Sequence, residues 1–434
     1  MARKRRHPPL SVYLNDRLVG MLEKQPNGAI SFVYDENWLG VAGAIPVSLS
    51  LPLREQKFTG ANVSAFFDNL LPDAEPLRRR VAERVGADGT GAYDLLSQIG
   101  RDCVGALQFV PQGVEPTPST RIDAEAVDNN QIADIIGDLG RSPLGLQGDG
   151  AFRISIAGAQ EKTALLLHEG RWHLPHGTTP TTHIIKPAIG MLPNGIDLSD
   201  SVENEWYCMT LLREAGLPVA NAGIVRFEET RALVIERFDR RLTKAGTILR
   251  LPQEDCCQAL GVPSTRKYES EGGPGAREIS DLLLGSDEPA GDRNLLYSAL
   301  SIFWLIGATD GHAKNFSLFL RPGGSFSLTP LYDVLTVQPT VDAGGIDRRN
   351  FRLSMAMGDR RHYRMDKILG RHIVQTGTQL GLSEKAAKLG LQASFEALQK
   401  GLEVTAADLP ADFPPQIHES VVGAVSARSR SIPD

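Results

Sequence analysis

The stretch that decides the fold is Gly307–Leu320, "GATDGHAKNFSLFL". Asp310 and Asn315 stand five positions apart in it. In phosphoryl-transfer loops that spacing joins a carboxylate that accepts a hydroxyl proton to an amide that holds magnesium. In a chain of this length such a pair arises by chance roughly once, so the spacing alone decides little. Its surroundings decide more. Ahead of it runs "NLLYSALSIFWLIGA", an apolar helical pattern that can be buried on nearly every side and would hold the loop rigidly. Behind it, "FSLFL", "RPGG" and "SFSLT" read as strand, turn and strand. That hairpin delivers "PLYDVLT" and returns Asp333 toward Asp310.

Moving a γ-phosphoryl group asks little covalent work of a protein, so rate comes from positioning and from cancelling negative charge. Magnesium is hard and prefers oxygen, which the Asp333 carboxylate and the Asn315 amide carbonyl supply. Asp310 can orient a seryl or threonyl hydroxyl for in-line attack. Lys186 closes the strand-like "THIIKPA", where the following Pro187 disfavours helix, and offers a compact ammonium for phosphates. Taken singly, each has a plain structural explanation: a turn cap, a solvated lysine, loop hydrogen bonds for Asn315 and His312. Taken in this order, with this intervening structure, they point to a kinase.

A second stretch bears on the nucleotide. "SIAGAQEKTALLL", from Ser155, sets a small-residue turn before Lys162-Thr163. A Walker loop needs glycine directly before the lysine, and Glu161 stands there, so that motif fails where backbone must approach phosphate. Ala157, Gly158 and Ala159 still leave room for a loop that covers phosphates with its own N–H groups, as in kinases. By itself the stretch would read as a plain hairpin.

Composition sets the limits. The chain has 434 residues, enough for two or three domains. Apolar residues make up 41% and charged residues 23%, ordinary for a soluble globular protein. A net charge of −6 argues against nucleic-acid binding by global electrostatics. The basic start "MARKRRH" is a local exception, read as a solvated tail, with a phosphate-contacting arm as the alternative. Cys103, Cys208, Cys256 and Cys257 form no C-x-x-C pair, which fits a reducing cytoplasm. No secretory signal and no membrane span is expected, since "ALSIFWLIGA" is too short to cross a bilayer.

Loops at "PQGVEPTPST" and "GRSPLGLQGDG" mark an amino-terminal module of about 150 residues. Short strands follow, then a helix in "DLSDSVENEWYCMTLLREAGLP", with Asp200 or Ser201 as its cap and Gly216 and Pro218 as its stop. "RALVIERFDRR" is a strand entering a polar turn, and from Leu251 the pattern is mostly helical.

The segments "SIAGAQEKTALL", "TPTTHIIK", "ERFDRR", "RLPQEDCCQALG", "KYESEGGPG", "FWLIGATDGHAKNFS" and "LTPLYDV" together closely resemble the HipA family, serine/threonine protein kinases that act as toxins of bacterial toxin–antitoxin pairs. The likeness extends to "FFDNLLPD" and "LLSQIGRDCVGALQ" in the first module. It implies an α+β, protein-kinase-like two-lobed fold: an auxiliary subdomain over 1–148, a strand-rich lobe over 149–252 and a helical lobe over 253–434. It implies ATP and Mg2+ as cofactors, Asp310 as catalytic base, and Asn315 and Asp333 as metal ligands. Lys186 would meet phosphates, and Ala157, Gly158, Ala159, Gln160, Glu161 and Lys162 would form the phosphate loop. The backbone of Glu236, Arg237 and Phe238 would meet the adenine edge; His312, Lys314 and Tyr332 would complete the nucleotide site. Ser155 matches the family's autophosphorylation site, and a phosphate there would eject the loop. Either Glu203 or Glu205 is expected to pair with Lys186. The resemblance further implies a HipB-like helix-turn-helix antitoxin dimer as partner, operator DNA reached mainly through it, corepression, and glutamyl-tRNA synthetase as the substrate class, with dormancy as the result. The alternatives are a small-molecule kinase or a non-catalytic corepressor; intact Asp310, Asn315, Asp333 and Lys186 weigh against the latter.

Overall fold

The computed structural model describes residues 7–118, 120–146, 153–158 and 160–433. The basic run Met1–Arg6 and Ala159 of the expected phosphate loop lie outside the described residues. The chain divides into two compact units. One comprises 1–187, 225–265 and 318–326; the other comprises 188–224, 266–317 and 327–434.

The first unit is rich in strands. Leu10–Leu14 and Arg17–Lys24 form an antiparallel hairpin across Asn15 and Asp16, whose φ angles of 44° and 67° suit the two-residue turn. Ile30–Tyr34 and Phe58–Thr59 extend the sheet on one side and Leu107–Pro111 on the other. Its inner face meets helix Ala61–Asp68, where Phe66 and Phe109 stand edge-on to Phe67 and Phe32 packs tilted against it, all four fully buried. A second sheet sets Thr230–Glu236, His183–Pro187, Thr163–His168, Arg171–Pro175 and Ala124–Ala126 side by side in that order. The apolar run after Lys162 becomes a strand buried along Ala164–Leu166.

The strand–turn–strand expected over 151–168 is not a hairpin among the described residues. Ile154–Ser155 pairs in parallel with Asp102–Cys103, whereas Thr163–His168 pairs with His183–Pro187 and Arg171–Pro175. The small-residue turn therefore joins two different layers of backbone pairing.

The second unit is mainly helical. Pro289–Ile306 runs through its centre, with Trp304, Leu305 and Ile306 wholly buried. Helix Ser201–Glu214 belongs to this unit, although it lies within the 149–252 segment. It packs against Glu384–Ala407 closely enough that a side chain at Gly401 would stand 3.2 Å from the Leu211 carbonyl oxygen. Among the described residues no helix is long and apolar enough to cross a membrane.

Candidate functional site

Within the helical unit, Pro at the first turn and Asp292 near the amino end start the helix Pro289–Ile306. Gly307, with φ of 75°, stops it and releases the chain into the Asp310 loop. Ala308 and Thr336 form an antiparallel bridge just beyond. In that register Asp310, two residues after Ala308, and Asp333, three before Thr336, run the same way from the bridge. Thr336 is fixed from both sides: its hydroxyl donates to the Ile306 carbonyl at 2.7 Å, and Asn204 bonds both its N–H and its C=O at 2.9 and 2.8 Å.

The loop is held by its own groups. Asn315 Nδ2 donates to the Asp310 carbonyl at 2.7 Å, which turns Oδ1 of that amide away from it. His312 N–H bonds the same carbonyl at 2.8 Å, and Asn315 N–H bonds the His312 carbonyl at 2.9 Å. His312, Lys314 and Asn315 are buried, whereas the Asp310 side chain is 47% exposed. Tyr332 staples the loop to the Asp333 segment: its hydroxyl donates to the Lys314 carbonyl at 2.7 Å and lies 2.6 Å from Ser317 Oγ. A phenol carries one proton, so Ser317 donates in the second bond. Asp333 follows at φ of 58°, a left-handed backbone that costs a non-glycine residue about 1 kcal/mol. The Leu331 bonds to Pro218 and Ala220, both 2.8 Å, hold the approach to it. Among the described residues no three His, Cys, Asp or Glu side chains converge on one point.

In the strand-rich unit Ser155 is fully buried, and its hydroxyl donates to the Leu70 carbonyl at 2.7 Å. The Gly158 carbonyl accepts from Asp73 N–H at 3.0 Å. Lys162 folds back over the loop: Nζ donates to the Ala157 carbonyl at 3.0 Å and would stand 2.5 Å from a Cβ at Gly158. Gln160 reaches the Pro187 carbonyl at 2.9 Å, tying the loop to the end of the strand that carries Lys186, itself buried. The Glu161 carboxylate is engaged by Arg80 at 2.5 Å.

The Glu236–Phe238 segment is anchored more deeply than the sequence suggests. Arg237 N–H donates to the Thr182 carbonyl at 2.9 Å, so of the three backbone positions expected to meet adenine this donor is already committed. Its guanidinium enters a buried knot with Arg240, Arg250, Asp102 and Asp239, every side chain 5% exposed or less. Burial alone would raise the Asp102 pKa; Arg240, Arg250, Arg237 and the Thr181 N–H outweigh it and hold the carboxyl well below the usual carboxylate range. Phe238 packs edge to face on Phe319 at 5.7 Å. Sequence reading missed two groups. One is Asp102, visible only as "GRDC"; the other is Tyr268 of "KYESEGGPG", whose hydroxyl donates to Asp310 Oδ1 at 3.0 Å.

Two family descriptions cover the chain: the HipA-like C-terminal domain over residues 154–401 and the HipA N-terminal domain over 10–110. The chain belongs to the HipA family. It is 31% identical to the serine/threonine-protein kinase toxin HipA of Shewanella oneidensis over 76% of this chain and 75% of that one. It is 37% identical to the putative kinase Y4mE of Sinorhizobium fredii over 75% and 77%. The solved structure of the Shewanella oneidensis HipA, HipB and operator DNA complex superimposes with a TM-score of 0.80 at 25% identity, covering 97% of each chain. The kinase-like α+β fold expected of a HipA protein is the one observed, and this HipA chain is a protein serine/threonine kinase.

Proposed function

We propose that this chain is a toxin kinase that transfers the γ-phosphoryl of ATP to a serine or threonine of a translation component, with glutamyl-tRNA synthetase as the substrate class. The supporting observation is the stapled loop of the helical unit, in which Asn315 Nδ2 bonds the Asp310 carbonyl and Tyr332 bonds Lys314. Asp310 is the base. The acceptor hydroxyl gives its proton to the Asp310 carboxylate as its oxygen bonds phosphorus, the bond to the β-phosphate oxygen breaks, and ADP leaves. Asn315 and Asp333 would hold magnesium, since one amide oxygen and one carboxylate suit a hard cation. The ion would supply positive charge against the phosphates.

In the strand-rich unit, Lys186 and the loop Ala157–Lys162 serve the phosphates, with Ala159 among them. Glu236 and Phe238 carry the adenine contact, Arg237 acting through its buried side chain. His312, Lys314 and Tyr332 shape the loop. The segments 1–148, 149–252 and 253–434 serve as auxiliary, nucleotide and catalytic parts. Ser155 is the autophosphorylation site. A phosphate has no room where its hydroxyl now meets Leu70, so modification demands that strand Ile154–Ser155 leave its place beside Asp102–Cys103 and take the phosphate loop with it. A HipB-like dimer is the antitoxin; it brings the chain to operator DNA as corepressor. The site of action is the cytoplasm, and the outcome is growth arrest.

The test is incubation with γ-labelled ATP, magnesium and glutamyl-tRNA synthetase. Asp310→Asn is expected to lose about 10²- to 10⁴-fold in rate, the usual effect of removing a general base. Wild-type rates in that variant would refute the assignment.

A further inference from the structure

We propose that Tyr268 is a positioning residue for phosphoryl transfer, its hydroxyl pinning the Asp310 carboxylate, and that the "KYESEGGPG" turn is the frame that holds this hydroxyl in place. The proposal rests on the reading of Asp310 as the base. A half-exposed aspartate is a poor base unless oriented, because its carboxylate rotates and water competes for its oxygens. Here the phenol donates to Oδ1 at 3.0 Å, while His312 Nε2 lies 3.9 Å from Oδ2. The phenol is a fit donor, with one O–H to give, and the ring reaches across a gap that serine could not.

The ring has little freedom. It stands edge-on to the buried His312 at 5.1 Å and 78°, with the Lys267 ammonium 5.3 Å from its centre. Its own carbonyl accepts from Glu271 and Gly273 N–H, both at 3.0 Å. A side chain at Gly273 would collide with the carbonyls of Arg266 and Tyr268, so the double-glycine turn is what lets the chain close so tightly. Next to it Glu269 accepts from Ala356 N–H at 2.6 Å and pairs with Arg361 at 2.8 Å. Ala356 lies on strand Arg352–Met357, and from that strand Ser354 donates both N–H and hydroxyl to the Thr309 carbonyl, at 3.0 and 2.6 Å. Thr309 precedes Asp310. The path from Tyr268 through Glu269, Ala356, Ser354 and Thr309 returns to Asp310, a closed ring of contacts inside one unit. The glutamate and glycines thereby gain a purpose that neither packing nor the nucleotide assigns them.

The experiment compares the full chain as wild type, Tyr268→Phe, Asp310→Asn and the double variant. Each receives γ-labelled ATP and magnesium, with the chain itself and purified glutamyl-tRNA synthetase offered together as acceptors. Tyr268→Phe keeps the ring and removes only the hydroxyl. It is expected to lower kcat about 10- to 100-fold, while KM for ATP and the melting temperature stay at wild-type values. Added to Asp310→Asn it is expected to cost nothing more, since no carboxylate remains to be oriented. A Tyr268→Phe kcat at or above wild type overturns the proposal and leaves Asp310 as base. Additive losses in the double variant overturn it equally. Full activity in Asp310→Asn, or no transfer by wild type to either acceptor, removes the reading of the site and the proposal with it.

Discussion

Replacing Asp102 by asparagine tests how the strand-rich unit is held together. The carboxylate is 2% exposed and accepts from Thr181 N–H at 3.0 Å, Thr181 Oγ1 at 2.7 Å, Arg240 at 2.9 Å, Arg250 at 3.0 Å and Arg237 at 3.3 Å. Three guanidinium groups face two carboxylates in the knot, so its charge rises from +1 to +2 when Asp102 becomes neutral. Burial, then Arg237, already lowers the Arg240 pKa to about 10. Removing one member of a buried ion pair costs about 3–5 kcal/mol. That is a large share of the roughly 5–15 kcal/mol that stabilises a domain. Because the native Asp102 pKa is depressed, its contribution is fully present above the unfolded value of 3.8 and is lost progressively as pH falls from there through the native one. The wild-type advantage is therefore constant near neutrality and shrinks below about pH 4. Urea denaturation followed by circular dichroism, with Asp102→Asn beside wild type at pH 7 and in steps below pH 4, measures both parts. Since Asp102–Cys103 is also the partner strand of Ile154–Ser155, limited proteolysis near Ser155 is expected to quicken. A loss below about 1 kcal/mol at pH 7 would show that the knot is no stronger than a surface pair and would refute the reasoning.

Glu254 is expected to behave in the opposite sense. Burial pushes its pKa from 4.5 to about 8, against the Leu49 N–H and Ser48 hydroxyl that it accepts at 2.8 and 2.5 Å. Its stability is present below the unfolded pKa and lost as pH rises through about 8. With about 1.4 kcal/mol for each tenfold change, the rise bounds the effect at about 5 kcal/mol. Glu254→Gln should flatten the wild-type decline in melting temperature between pH 5 and pH 9; an unchanged slope would count against it. For Ser155, the aspartate variant sets a charge against the Leu70 carbonyl in a fully buried position and is expected to raise KM for ATP about tenfold or more. The alanine variant should bind ATP as wild type does, and equal KM values in the two would contradict the coupling of Ser155 to the phosphate loop.

How much was legible in the sequence follows from how local each signal is. The Pro289–Ile306 helix, the hairpin after it and the Asp310-to-Asn315 spacing were readable because helical period, turn chemistry and loop spacing are written over a few neighbouring residues. The HipA likeness was readable for the same reason, being carried by contiguous motifs. Tyr268 on Asp310 was not, since 42 positions separate them and no period links the two. Nor was the pairing of Ile154–Ser155, which the stretch itself presents as half of a hairpin.

The amino-acid order determined the family, the kinase-like fold and the residue types able to move a phosphoryl group. Only the tertiary structure decided which charges are shared in the dark interior, as with Asp102 among three arginines. It alone also showed that Arg237 spends its N–H on Thr182 and that the Asp310 carboxylate has a phenol against it. The physical reason is range. Local backbone preference is set by adjacent residues, whereas desolvation and hydrogen-bond partnership depend on groups that meet only after distant segments have packed.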